Sequence, residues 1–419
     1  MDTKAKDLIN PVATAEQHDH EMRALELIQH PVVVEAFARV REHWLEQAAP
    51  SPAMRACFDA SFEEVMFSAA IWSSNQDSAR PKVVTITRLA HMVGDRSVPG
   101  SRWGIDNPDS VYRVIPISGN ERYEIRGRVR EKRLSENYFT LWDENMNTVD
   151  VLNGSELELE ADGSFSISVD SDPAGDRANH VRSAPEAHEF YIRDVVQDWE
   201  SETPNELEIE RLGGAPSRPA PSADEQAELT ARFMLHYADS TIRFNDQALE
   251  KPVNELAFRI DRDTDGALRN QLYIMGHFQL EDDQALVLDI QTGKAGYFIA
   301  PISNAWGTTN EIAERTGSLN LSQSVANDDG SYTFVLSPSD PGVHNWLDPT
   351  DMGEGILTLR WAEFPSGKPG ADVSARSRVV PLSGLSGVLP GETRYVTPDE
   401  RMSQCVERAA AYRRRLHAG

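Results

Sequence analysis

Apolar residues in the first hundred positions recur at helical spacing. Val33, Phe37, Val40 and Trp44 share one face of a 3.6-residue helix, and Thr14-Ala15-Glu16-Gln17 has the form of a capping box. A second helical stretch over residues 52–72 stops before Pro81. From Trp103 onward the period changes. Residues 111–117 are apolar and β-branched, as a buried strand requires, and Tyr123, Ile125, Gly127 and Val129 alternate as a half-buried one. Leu207 with Ile209, Leu286 with Leu288, Tyr332 with Phe334, and Leu357, Leu359 and Trp361 mark further strands. Ile192, Val195, Val196 and Trp199 sit at i, i+3, i+4, i+7 and predict a helix inserted near 186–200. Residues 213–223 (GGAPSRPAPSA) read as a linker. Ser222-Ala223-Asp224-Glu225 and Thr397-Pro398-Asp399-Glu400 cap two later helices. The second ends in Arg413-Arg414-Arg415, cations that complement its dipole.

One block occurs twice. Asp162-Gly163-Ser164-Phe165, a short strand and Ser171-Asp172-Pro173 are followed by Asn179-His180; Asp329-Gly330-Ser331-Tyr332, a short strand and Ser339-Asp340-Pro341 are followed by His344-Asn345. Asp-Gly supplies a positive-φ turn, and Phe165, Ile167 and Val169 alternate as do Tyr332, Phe334 and Leu336. The expected fold is mainly β with flanking helices (α+β): two jelly-roll-like antiparallel β-sandwiches from an internal duplication. The expected division is a helical region over 1–98, a first sandwich over 99–212, the linker over 213–223, a helix over 224–256, a second sandwich over 257–390 and a C-terminal helix over 391–419.

Charge and cysteine usage narrow the setting. Acidic residues outnumber basic ones by 67 to 41, a formal charge of -26, which argues against nucleic acid or an anionic membrane as partner. Cys57 and Cys405 form no motif, so a disulfide framework is not expected. The polar N-terminus lacks the apolar core of a signal peptide, and no apolar run approaches a membrane span. A cytoplasmic protein is expected.

The second copy carries a family resemblance. Asn304-Ala305-Trp306-Gly307, Asp329-Gly330-Ser331, Asp340-Pro341-Gly342, Asn345-Trp346-Leu347-Asp348, Gly355 and Leu357-Thr358-Leu359-Arg360-Trp361 match in order and spacing. This run resembles an uncharacterised, mostly bacterial family known as domain of unknown function (DUF) 1214, over residues 273–365. Trp103-Gly104-Ile105-Asp106-Asn107-Pro108-Asp109 looks like the upstream part of the same proteins. The resemblance implies a β-sandwich and brings no reaction and no catalytic residues.

Candidate chemistry clusters in loops. His344, Asn345, Trp346 and Asp348, beside the loop of Asn304 and Trp306, form the densest polar-aromatic group. His344 is suited to acid–base work with Asp348 orienting it, and Trp306 with Trp346 to stacking a ligand. The competing reading is structural, with Trp346 filling the sandwich mouth and Asn345 and Asp348 bonding the turn backbone. In the first copy His180 stands at the matching place, and Asn107, Asp109, Tyr112, Arg113 and Arg126 are candidate ligand contacts. The arginines suit a carboxylate or phosphate, or simply a neighbouring acidic side chain.

Asp261, Asp263 and Asp265 with Gly266 copy half of a calcium loop, but Leu272 stands where its bidentate Glu belongs. His18-Asp19-His20-Glu21 has the wrong spacing for helical metal ligands. No phosphate loop, dinucleotide fingerprint or serine-hydrolase elbow is present, so no cofactor is expected. Three readings follow in order. The first is a cofactor-independent acid–base enzyme for a small organic molecule, acting by hydrolysis, hydration or isomerisation. The second is a non-catalytic small-molecule or carbohydrate-binding protein, and the third a homo-oligomeric scaffold built through the terminal helices.

Overall fold

The computed structural model describes residues 10–216, 218–256 and 270–416. Five helices, α1 (Ala15–Leu27), α2 (Pro31–Ala48), α3 (Pro52–Ser73), α4 (Ala223–Leu249) and α5 (Pro398–Arg413), flank four main β-sheets. Thr14, Ser51, Ser222 and Thr397 cap α1, α3, α4 and α5, the last two through reciprocal capping boxes. From Val65 to its end α3 is buried on every side, because α1, α4 and the first sheet enclose it.

The first sandwich-like pair of sheets has a recognisable strand order. Val84–Thr85, Ser110–Pro116, Ala187–Val195, Glu136–Asp143 and Thr148–Asn153 lie side by side, facing Glu206–Leu212, Arg122–Arg128, Ser164–Asp170 and His180–Arg182. In the second pair, Gln271–Gln279, Glu354–Ala362, Tyr297–Ser303 and Ser318–Asn320 face Val373–Pro381, Gln284–Thr292, Tyr332–Leu336 and Trp346–Leu347. Apart from the extra Val84–Thr85 strand, the order recurs, including one parallel pairing in each. The two Asp-Gly turns match in detail: Gly163 and Gly330 both have φ +82, a conformation glycine adopts without the steric cost of a Cβ.

The helix expected near 186–200 is a strand, Ala187–Val195, held between Ser110–Pro116 and Glu136–Asp143. Phe190 and Ile192 enter the core of the first sandwich while Tyr191 packs under the helices, so both faces are apolar and period-two alternation is erased.

Each sandwich has its own core, and a third core lies between α1–α4 and the outer face of the first large sheet. Trp306, from the second sandwich, enters this helical core against Trp44 and Phe58 and donates its indole N–H to Met54 O at 2.8 Å. At the opposite end, Arg415 donates to Pro108 O at 2.9 Å and Val196 O at 3.1 Å and lies over Trp199. Arg408, also over Trp199, donates to Ile312 O at 2.6 Å. Arg408 and Arg415 together therefore tie both sandwiches to the C-terminal helix, so Arg415 does more than complete a helix dipole. No helix among the described residues is long and apolar enough to cross a membrane.

Candidate functional site: a cavity between the two sandwiches

The large sheets of the two sandwiches turn their outer faces toward one another, with α4 across one side. A cavity of about 730 Å3 opens there, within the range of sites for small molecules. Its walls come from equivalent ladder positions. Tyr112 stands opposite Arg193 in the first sandwich, and Tyr273 opposite Arg360 in the second. Val195 lies between Ser110 and Glu136, and Ala362 between Gln271 and Tyr297. Those eight Tyr, Arg, Ser, Glu and Gln positions all line the cavity. Side chains alternate along a strand, so the inward neighbours Ile192 and Leu359 fill sandwich cores while the arginines face out into the shared space.

Residues 103–107 form the floor. Gly104 and Ile105 have φ +53 and +59, a left-handed pair that is costly for a β-branched residue. Ile105 is held by its N–H to Gly307 O at 2.7 Å and by Arg360, which donates to Ile105 O. Asp106 follows and is 6% exposed; its Oδ2 meets Thr309 Oγ1 at 3.5 Å and its Oδ1 has no partner. Burial pushes its carboxyl up to about 6, against the pull of Arg102 and Arg360. Three other cavity-lining residues have a buried polar atom without a partner: Trp103 Nε1, Thr241 Oγ1 and Arg360 Nε. Buried polar groups are normally satisfied, and these four atoms are left without a protein partner behind the cavity lining.

Glu136, 4% exposed, accepts from Gln271 Nε2, an interaction joining the two sandwiches. Burial raises its carboxyl, with Arg193 opposing. Burial likewise holds the Tyr191 and Tyr297 hydroxyls well above their ordinary range, so they remain proton donors at neutral pH. Trp142 stacks on Tyr191 with ring centroids 4.2 Å apart, giving the cavity a flat apolar wall.

Of the residues expected from the sequence, Asn107 and Tyr112 line this cavity. Asp109 lies behind it, accepting from Trp199 Nε1 at 2.7 Å, Tyr297 Oη at 2.9 Å and Asn320 Nδ2 at 2.8 Å. So saturated a carboxylate stitches the two sandwiches together and is a poor ligand contact. Arg113 is buried against Asp194 and Asn205 O, because its strand position points into the sandwich. Arg126 is on the exposed face of an interior strand, paired with Glu124 and Glu210.

The pairing expected of His344 and Asp348 does not form. Asp348 bonds Arg315 at 2.6 Å and the Thr350 N–H at 2.8 Å, whereas His344 Nδ1 meets Asn345 Oδ1 at 3.2 Å. Asn345 bridges the backbone of Val325 and Thr333. Trp346 is buried and donates to Ser337 O at 3.0 Å. The recess beside His344 has about 20 Å3, room for a water molecule. Trp306 and Trp346 lie in different hydrophobic cores, so they make no joint platform. His180 is held in its turn by Ser168 Oγ and Asp172 O, both at 2.9 Å. Asn304 donates to Ser61 Oγ at 2.8 Å and fixes the Trp306 loop.

Asp261, Asp263 and Asp265 lie outside the described residues. Glu21 is used by Arg88 and His91, and His20 by Ser74. Among the described residues no three His, Cys, Asp or Glu side chains are grouped to hold a metal ion.

Sequence reading missed Asp106, Glu136, Arg193, Tyr273 and Arg360 as site residues. One signal was present. Arg193 and Arg360 stand at the same distance downstream of Asp162 and Asp329, the first residues of the two Asp-Gly turns.

Residues 304–363 match the family described as Protein of unknown function (DUF1214). This segment carries the Trp306 loop and Arg360, and is shorter than the 273–365 expected. A crystal structure of an uncharacterised protein from Burkholderia cenocepacia is similar, with a TM-score of 0.72 and 24% identity over 86% of this chain and 100% of that one. That likeness concerns the fold. The VPA0106 protein from Vibrio parahaemolyticus gives a TM-score of 0.41 and 10% identity over 65% of this chain and 90% of that one. No curated protein matches the chain.

Proposed function

We propose that the chain is an acid–base enzyme acting on a small organic molecule in the cavity between the two sandwiches, with Asp106 as the proton carrier. The observation that carries this reading is the gathering of Asp106, Glu136, Arg193 and Arg360 around one aromatic-lined cavity. A carboxyl titrating near 6 can take up or release a proton near neutral pH, as general acid–base catalysis requires. Hydrolysis, hydration and isomerisation all use such a group. The recurring strand order and the matched Tyr–Arg positions support descent of two jelly-roll-like sandwiches from one by internal duplication. The acidic charge and unpaired cysteines favour action in the cytoplasm, away from nucleic acid and membranes.

The test is mass spectrometry of a bacterial metabolite extract before and after incubation with the protein. The wild type should deplete one compound and generate another, and Asp106→Asn should slow this by at least about 100-fold while remaining folded. Turnover that survives Asp106→Asn and disappears in His344→Ala would overturn the proposal.

A further inference from the structure

Arg193 and Arg360 are the two arginines of the cavity lining, and their charges are met differently from those of several interior arginines. Arg88, Arg102 and Arg113 each have a carboxylate partner, Glu21, Glu64 and Asp194. Among the described residues, neither Arg193 nor Arg360 forms an ion pair. Arg360 donates to Ile105 O and reaches Tyr273 Oη at 3.4 Å, with its guanidinium 4.7 Å from the Tyr273 ring centroid and its Nε unpartnered. The contact of the Arg193 guanidinium is the face of Tyr138, at 5.7 Å. Asp106 and Glu136 line the same cavity, but neither comes within ion-pair distance of these arginines.

Two guanidiniums without an ion pair facing one partly enclosed cavity are a costly arrangement unless an anion completes it. The lining also carries polar groups, Asn107, Thr241 and Gln271 among them, and its apolar walls come from the rings of Trp142, Tyr191, Trp103 and Phe244. Planar walls suit a planar body, and a guanidinium fork suits a carboxylate, which accepts two parallel N–H bonds. Among the described residues the lining includes no helix N-terminus, the common seat of a phosphoryl group.

We propose that the ligand class of the cavity is an organic carboxylate with a flat, unsaturated or aromatic body, its carboxylate held by Arg360 with Arg193 as the second cation. This rests on the reading of the cavity as the binding site given above. Arg360 anchors the group, because its carbonyl and ring contacts already fix the guanidinium. Arg193, on the equivalent strand of the other sandwich, approaches from across the space.

The experiment is calorimetric titration of the full chain with 2-naphthoate and with its neutral isostere 2-naphthamide. The wild type should bind the carboxylate at least about 10-fold more tightly than the amide, since hydrogen bonds to charged groups are the stronger kind. Arg360→Met should weaken 2-naphthoate by about 10- to 100-fold and change 2-naphthamide little; Arg193→Met, at a half-exposed position, should do the same to a smaller degree. Equal binding of the two probes by the wild type, lost in the cavity-obstructing variant Ser240→Trp, would overturn carboxylate recognition and leave the cavity as the binding site. Binding of either probe that Ser240→Trp leaves intact, or no binding of either by the wild type, would overturn the cavity reading as well. The wild-type comparison of probes decides the matter even if Arg360→Met fails to fold.

Discussion

Arg193 and Arg360 occupy the same ladder position in two different sandwiches, one opposite Tyr112 and the other opposite Tyr273. Both point out of their own sandwich and into the cavity the two share. The packing that buries the outer faces of both large sheets thus brings equivalent polar positions together, and a site appears that neither sandwich contains alone.

Asp106 should make stability depend on pH. In the fold its carboxyl titrates near 6, against 3.8 ordinarily, so between those values the folded chain holds the proton and the unfolded chain does not. Stability from this group is complete at low pH and falls as pH rises through that window, by about 3 kcal/mol in all. Asp106→Asn should therefore raise the melting temperature at about pH 7.5 and leave it nearly unchanged at about pH 4. An equal effect at both would mean the group is not buried as described.

The His344 block should prove structural. Trp346→Ala, which empties a buried site beneath Val335 and Leu385, should cost about 3–5 kcal/mol in chemical denaturation. His344→Ala, with one long side-chain contact, should cost less than about 1 kcal/mol and leave activity unaltered.

Breaking the Arg113–Asp194 pair from one side leaves a buried charge alone. Asp194→Asn should destabilise by about 3 kcal/mol, whereas Arg113→Met combined with Asp194→Leu should cost less than that single change. A larger loss in the double variant would show that the ion pair stabilises more than an apolar replacement.

Arg415→Ala should lower stability by about 1–3 kcal/mol, because Pro108 O and Val196 O lose their donor and Trp199 loses its cation. Arg415→Lys should not restore it, since one ammonium lacks the fork that reaches both carbonyls. Full rescue by lysine would leave charge alone as the cause.

Periodicity and turn chemistry made much of the architecture legible. Capping at Thr14, Ser222 and Thr397, the Asp-Gly turns and the alternation of Tyr332, Phe334 and Leu336 are local signals that the folded chain uses locally. Ala187–Val195 was misread because a strand buried on both faces loses its alternation. The site was less legible for a different reason. His344, Asn345, Trp346 and Asp348 are adjacent in sequence, yet adjacency in a turn usually serves the turn. Asp106, Arg193 and Arg360 are far apart in sequence and meet only through the packing of the two sandwiches.

The most direct test of that packing-built site is the set of small molecules retained from a bacterial metabolite extract by the wild type, Ser240→Trp and His344→Ala. Ser240 lines the cavity on α4, and a tryptophan there would obstruct it. A compound retained by the wild type and His344→Ala but lost from Ser240→Trp is the predicted result. Retention that Ser240→Trp leaves intact and His344→Ala abolishes would contradict the account and return the site to the end of the second sandwich.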